Sequence, residues 1–441
     1  MLEPSPMAAN AIARFFELSA RKTTVTRELR GAIATFLTMA YILAVNPEIL
    51  SHAGLNRASA VACTAAAAGI CCMLMGLIAN FPLATAPGMG LNAFVAYTLV
   101  LGTLALRWQT AMGVIVLDGV IMLLLVLAGL REAVMNAIPR DLRLATGAGI
   151  GLFIALIGLM GGKIIVIDPH VLLPQPGELT TPEAKVAVLG LVVTAVLMAW
   201  RIRGAILIGI IAGTAAAMRL GLTHWTGAWQ RPSFANAVQV DLRGALQWKL
   251  LPALFAVLMV DFFDTLGTAT AIGEQAVLVD SQGRVLKIKQ ILIVDSLAAS
   301  IGGVFGASSV TAYIESASGV AEGARTGLHS VFVGLLFFAA IFAAPLAGMV
   351  PAAATAPALI LVGFLMMSQL VRIDLQKFDT AIPAFITFIT IPLTYSIAHG
   401  IGCGFVLFVL IKVLTGKPWE VKPLMYLVSL AFAAYFMASR F

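Results

Sequence analysis

Charge is scarce in this sequence: 11% of its 441 residues are Asp, Glu, Lys or Arg, against about a quarter in an ordinary soluble domain. So few charges cannot cover a water-facing surface of this size, which excludes a soluble globular enzyme. Cysteine is scarce as well. Cys63, Cys71, Cys72 and Cys403 lie within or beside apolar stretches, form no CxxC pattern and have no histidine close in sequence. A thiol redox centre and a zinc site are therefore not expected, and small helix-packing residues are. The five histidines are scattered. With no HExxH, no nucleophile–base pairing and no cofactor fingerprint, the chain is expected to be no enzyme and to carry no cofactor or metal. Residues 1–30 lack the short apolar core and small-residue cleavage site of a signal peptide, so they are read as a retained cytoplasmic segment.

What the sequence has in abundance is apolar length. Hydrophobic residues make up 60% of it and the mean hydropathy is +0.99. Apolar windows of about 20 residues recur, each long enough to cross a hydrocarbon core about 30 Å thick. Fourteen crossings can be placed between residues 31 and 415, with 421–439 as a further helix lying in the interface. The expected class is an all-α polytopic membrane protein in a lipid bilayer. The net charge of +7 follows topology. Arg14, Arg21, Lys22, Arg27 and Arg30, then Arg131, Arg140, Arg143, Arg201, Arg203, Arg284, Lys287, Lys289, Arg372 and Lys377 fall on the cytoplasmic side if the N-terminus does. That bias is the positive-inside rule, so no nucleic-acid partner is expected. A bacterial cytoplasmic (inner) membrane is the expected location.

The two halves echo each other. Asn136-Ala-Ile-Pro139 leads into one apolar segment and Gly348-Met-Val-Pro351 into another, seven crossings later, so equivalent segments would run in opposite directions. Such inverted repeats are common in secondary transporters. The third and tenth segments, 82-PLATAPGMGLNAFVAY-97 and 306-GASSVTAYIESASGVA-321, correspond under this offset. Both make poor continuous helices. Pro87, Gly88 and Gly90 break the first, and Ser308, Ser309, Val310, Thr311 and Tyr313 favour a strand in the second. Extended backbone in a bilayer must find partners, so short strands in segments three and ten are expected to pair, with half-helices leaving them at the midplane.

Acids beside these breaks mark the candidate site. Asp261 and Asp264 stand at i and i+3 on one face of the eighth segment, at about 2.5–3.5 kcal/mol each for a helix centre. Glu315 sits at the strand-to-helix junction of segment ten. Asn92 occupies the comparable place in segment three and offers both a donor and an acceptor. Asp118 in the fourth segment and Asp295 in the ninth either hold two helices together through a hydroxyl or backbone amide or serve a function. Phe94, Phe262 and Tyr313 adjoin the polar set and could stack on a flat ligand; packing is the plainer role for all three. Glu48 and Glu274 are read as span-end residues and His399 as an interface histidine.

At these residues the chain resembles the AzgA-like purine permeases of the nucleobase–cation symporter-2 superfamily. The resemblance runs from 31-GAIATFLTMAYILAVNPEIL-50 to 415-TGKPWEVKPLMYLV-428 and is most specific at 86-APGMGLNAF-94, 261-DFFDTLGT-268 and 312-AYIESASGVAEGARTGL-328. It implies uptake of hypoxanthine, guanine or adenine coupled to protons. It also implies the uracil-permease fold, fourteen segments in two inverted seven-segment repeats, as a homodimer. A core domain would take 31–130 (segments one to four) and 250–347 (eight to eleven). A gate domain would take 131–249 (five to seven) and 348–415 (twelve to fourteen), flanked by segments 1–30 and 416–441. The resemblance places Asn92, Asp261, Asp264 and Glu315 on the purine. Asp118, Asp261, Asp264 and Glu315 are the proton-coupling candidates. An anion transporter of the sulfate-permease type shares this architecture, and a facilitative nucleobase channel on it is the other alternative; clustered carboxylates speak against the anion.

Overall fold

The computed structural model describes residues 6–102, 104–129, 138–168, 174–224, 231–280, 284–343, 346 and 349–438; the side chains of 6–10, 262–264, 266, 343 and 438 fall outside that description. The chain is mostly helical. Helix α1 (Pro6–Phe15) is followed by α2 (Val25–Met39), α3 (Ile42–His52) and α4 (Arg57–Leu74), the last running into a π-turn at Met75–Ala79. After strand β1 (Thr85–Pro87) come α5 (Met89–Ala93), a π-turn at Phe94–Val100, α6 (Trp108–Leu127) and α7 (Arg140–Gly161). A small exposed hairpin, β2 (Ile165–Ile167) and β3 (Pro174–Pro176), precedes α8 (Pro182–Ala199) and α9 (Ala205–Arg219). The second half holds α10 (Leu242–Ala245), α11 (Leu251–Gln275), α12 (Ile288–Val304), strand β4 (Val310–Ala312), α13 (Ser316–Ala321) and α14 (Gly327–Ala340). It ends with α15 (Ala352–Met367), α16 (Phe378–Leu393), α17 (Ile397–Leu414) and α18 (Pro423–Ala438).

The helix starts are written locally. Thr24, Asn56, Thr181, Thr326 and Ser396 each cap a helix by accepting from a backbone N–H in its first turn, which satisfies donors that a helix end leaves open. Pro182 follows its cap at the first helical position, where no N–H is needed. Among the described residues seven helical stretches are long and apolar enough to cross a membrane: 25–52, 57–79, 108–127, 140–161, 182–199, 352–372 and 397–414. Shorter apolar helices, among them Met89–Val100 and Gly327–Ala340, lie between them. Large apolar side chains such as Leu124, Ile211, Phe364 and Leu430 remain on the outer surface, as a lipid-facing exterior requires. The chain is a multi-pass membrane protein.

The helices pack as two groups. In one, α6 lies on α12, α14 on α4 and α2, and α3 on α4. In the other, α7 packs against α15 and α16, α16 against α17, and α8 and α9 against each other and α15. Helix α11 touches both. Inside the first group the two strands meet. β1 and β4 run antiparallel in the register Thr85↔Ala312, Ala86↔Thr311 and Pro87↔Val310, and all six residues are buried. The ladder extends at each end: Tyr313 N–H donates to Ala84 O and Gly88 N–H to Ser309 O, both at 2.9 Å. Side chains take the remaining amides. Leu83 N–H donates to Ser330 Oγ (3.0 Å), Ala84 N–H to Ser316 Oγ (2.9 Å) and Thr85 N–H to Cys72 Sγ (3.1 Å).

Close approach of α4 and its π-turn to α14 depends on small residues. A Cβ placed on Gly76 would stand 2.4 Å from the carbonyl oxygen of Gly327, a clash with backbone that no rotamer relieves. Gly76→Ala is expected to lower stability by about 1–3 kcal/mol, the usual cost of overpacking. Gly161→Ala, where nothing lies within 4 Å, is the control. Melting temperatures of the two variants in detergent check this, and equal values would contradict the packing described.

Candidate functional site

The strand pair places one short helix behind each strand. On the first side Asn92 lies in α5, its N–H donating to Gly88 O at 2.8 Å. Its side chain is fully buried, and neither Nδ2 nor Oδ1 has a hydrogen-bond partner among the described residues. A buried amide without partners costs about 1–3 kcal/mol, so this one is suited to a ligand edge with one acceptor and one donor. On the second side Glu315 immediately precedes α13 and is partly open. Its carboxylate makes no cap to α13. Instead Oε1 accepts the hydroxyl of Tyr41, at the turn between α2 and α3, at 2.7 Å.

Asp261 reaches the same strands from α11. It is 1% exposed, and its Oδ2 accepts the Ser309 hydroxyl at 2.8 Å, while Oδ1 takes no donor among the described residues. Asp118 on α6 and Asp295 on α12, both buried, lie within electrostatic reach of it. Thr265, one turn beyond Asp261, donates to Asp295 Oδ1 at 2.5 Å. Three carboxyl groups from three helices thus gather behind β4, while Glu315 stands apart on the open side.

The remaining candidates divide. Asp264 and Phe262 are on α11, but their side chains lie outside the described residues. Phe94 is completely buried at the start of the π-turn, and Tyr313 donates its hydroxyl to Pro87 O at 2.6 Å, tying β1 to the residue after β4. The structure places both inside the packed core. Glu48 is buried, 2.7 Å from Arg57 and 3.7 Å from His52. His399 bonds Ser396 Oγ through Nδ1 at 2.7 Å and stacks on Phe436. A surface cleft of about 750 Å³ opens elsewhere, between the ends of α16 and α17. There Lys412 is already matched by Asp379 (2.7 Å) and Glu420 (2.5 Å), so it offers no uncompensated charge.

Tyr41, Ser309 and Thr265 hold the acids, and none stands out in the sequence. The only hint is generic: a tyrosine or serine within an apolar run must spend its hydroxyl somewhere. Chemically the site combines carboxylate acceptors at different depths with one amide that can both donate and accept. That set suits a flat, neutral ligand edged with N–H groups and ring nitrogens or carbonyls.

Comparison with known proteins agrees. Residues 27–403 match the sequence profile of the xanthine/uracil permeases, described as a permease family. The adenine permease AdeP of Escherichia coli is 40% identical over 96% of this chain and 95% of its own length. The guanine/hypoxanthine permease PbuG of Bacillus subtilis is 40% identical over 96% of this chain and 99% of its own. Among solved structures, the transmembrane domain of a cyanobacterial bicarbonate transporter, BicA, superposes with a TM-score of 0.62 at 17% identity, covering 86% of this chain and 97% of that one. The last likeness concerns the fold alone.

Ser309→Ala would leave Asp261 Oδ2 buried without its donor, an expected loss of about 1–3 kcal/mol. Ser309→Thr keeps a hydroxyl and should restore most of it. Thermal unfolding in detergent compares them, and an alanine variant as stable as the parent would refute a structural role for this bond.

Proposed function

Because the chain belongs to the xanthine/uracil permease family, we propose that it is a secondary transporter importing purine nucleobases, hypoxanthine, guanine or adenine, by proton symport. The observation that carries this reading is Asn92: an amide buried just after β1 with both polar atoms unmatched among the described residues, while the partly buried Glu315 follows β4. A purine offers N–H donors to the carboxylate, and acceptors and a donor to the amide. A site that pairs such an edge rejects analogues lacking it, because its own buried groups would then go unmatched. The purine specificity of the bacterial relatives supports the same ligand class.

Proton coupling rests on Asp118 and Asp261. Carboxyl groups gathered in one buried cluster are suited to carry a proton, because like charges in a low-dielectric setting do not all ionise together. One proton moving across 100 mV releases about 2.3 kcal/mol, enough for roughly 50-fold accumulation of a neutral base. In this reading purine and proton load together, and the core domain slides against the gate domain. The packing of the helices as two groups supports that division, with α2–α6 and α11–α14 as the proposed core and α7–α9 and α15–α17 as the proposed gate. Fourteen segments as an inverted repeat, a cytoplasmic N-terminus and an inner-membrane location complete the proposal. An anion exchanger on this fold is the second reading, and Asp118, Asp261, Asp295 and Glu315 oppose it by charge.

Uptake of labelled hypoxanthine with and without a protonophore, competed by adenine, guanine, uracil and sulfate, is the test. Purines should compete, sulfate should not, and the protonophore should abolish accumulation. Competition by sulfate, or accumulation untouched by the protonophore, would overturn the reading. Glu315→Gln should cut uptake at least about tenfold, the loss expected for one charge-assisted hydrogen bond, while membrane levels of the protein stay normal. Asp118→Asn should drive the inside-to-outside ratio of purine towards one; an unchanged ratio in this variant would remove Asp118 from coupling.

A further inference from the structure

We infer that Tyr41 is a positioning residue for substrate: it fixes the carboxylate of Glu315 so that one oxygen is held by the protein and the other is presented to the nucleobase. The inference rests on the reading that Glu315 takes the base. Tyr41 is 1% exposed, and its ring is packed in the principal core. It stands at the turn where α2 gives way to α3, with Ala44 N–H and Val45 N–H both donating to its carbonyl at 3.0 Å. The hydroxyl is therefore delivered by backbone and ring together, and a phenol has few rotamers to lose on binding. Its bond to Glu315 Oε1, at 2.7 Å, is in the range of charge-assisted O–H···O⁻ contacts.

A second contact one helical turn earlier makes this a fixed mount. Thr38 Oγ1 lies 3.1 Å from Ser318 Oγ, and Ser318 Oγ–H donates to Glu315 O at 2.7 Å. Thr38 and Tyr41, at i and i+3, share a face of the first segment. One aligns the backbone of Glu315 and the other its side chain. Glu315 is only partly buried as a residue, unlike Asp118, Asp261 and Asp295, so without such a mount its carboxylate would have more rotamers to sample, and ordering it would weaken binding. A phenol donor also keeps Glu315 an acceptor, the form that an N–H edge requires.

The test is a double-mutant cycle on hypoxanthine binding, measured by calorimetry on the purified, detergent-solubilised protein. Tyr41→Phe should raise Kd about tenfold in the parent, the loss of one charge-assisted contact, with the maximal transport rate at saturating purine kept. In the Glu315→Gln background the same substitution should raise Kd less than about threefold, because the charged partner is gone. Tyr41→Leu run through the same cycle decides the question if Tyr41→Phe is poorly produced, since the coupling between the two positions is the readout and not either single loss. Full additivity, or a parent-like Kd for Tyr41→Phe, would overturn the inference. If Glu315→Gln itself binds hypoxanthine as the parent does, the assignment of Glu315 falls first; if Glu315→Gln is weak and Tyr41→Phe adds to it in full, only the role of Tyr41 falls.

Discussion

Two strands of three residues, Thr85–Pro87 and Val310–Ala312, set the terms for the rest of this molecule. Extended backbone cannot satisfy its own amides, and within a hydrocarbon layer each one left open costs several kcal/mol. The chain meets this by pairing the strands with each other and by directing Ser316, Ser330 and Cys72 onto the amides that the ladder misses. The pairing joins two places more than 200 residues apart, and because it is antiparallel Asn92 and Glu315 leave it from opposite ends.

The acids around the strands occupy different environments. Asp261 is sunk in the protein, held by Ser309 on one oxygen and neighboured by Asp118 and Asp295. Glu315 is partly buried, its Oε1 held by the phenol of Tyr41. Ser309 immediately precedes β4 and Glu315 follows it, so the same strand carries a contact to each setting.

Much of the site was legible in the sequence because bilayers make polar residues conspicuous. Asp261, Glu315 and Asn92 stand in apolar surroundings, where each needs a reason to be present. The Pro-Gly-x-Gly run at 87–90 and the β-branched pair Val310-Thr311 fall where the backbone leaves the helix. Less legible was who holds whom. Tyr41 sits in an unremarkable apolar run, and only the packing of α2 against α13 directs its hydroxyl to Glu315. Asp118 and Asp295 read equally well as helix ties or as functional residues, because sequence spacing says nothing about three acids contributed by three different helices. The setting of the aromatic candidates was hidden for a related reason: Phe94 and Tyr313 adjoin the polar residues in sequence, but only the structure shows Phe94 buried at the π-turn after α5 and the Tyr313 hydroxyl bonded to Pro87.

The proposed sliding of one helix group on the other needs an interface that is continuous yet weakly committed, and the contacts between the groups have that character. Tyr97 on the first group meets Phe153 on the second edge to face, with ring centroids 6.0 Å apart. Such pairs are worth about 0.5–1.5 kcal/mol and tolerate translation. Thr98 Oγ1 accepts Ile397 N–H at a long 3.4 Å, and Glu322 is shared between Arg30 of its own group and Arg203 of the other. Ion pairs exposed in this way contribute little and re-form easily. Within the first group, by contrast, α4 and α14 touch through glycine backbones and the strands are joined by a backbone ladder. A body stiff inside and loosely held outside moves as a unit, carrying Asn92, Asp261 and Glu315 together, so the ligand's hydrogen bonds need not break for the site to change sides.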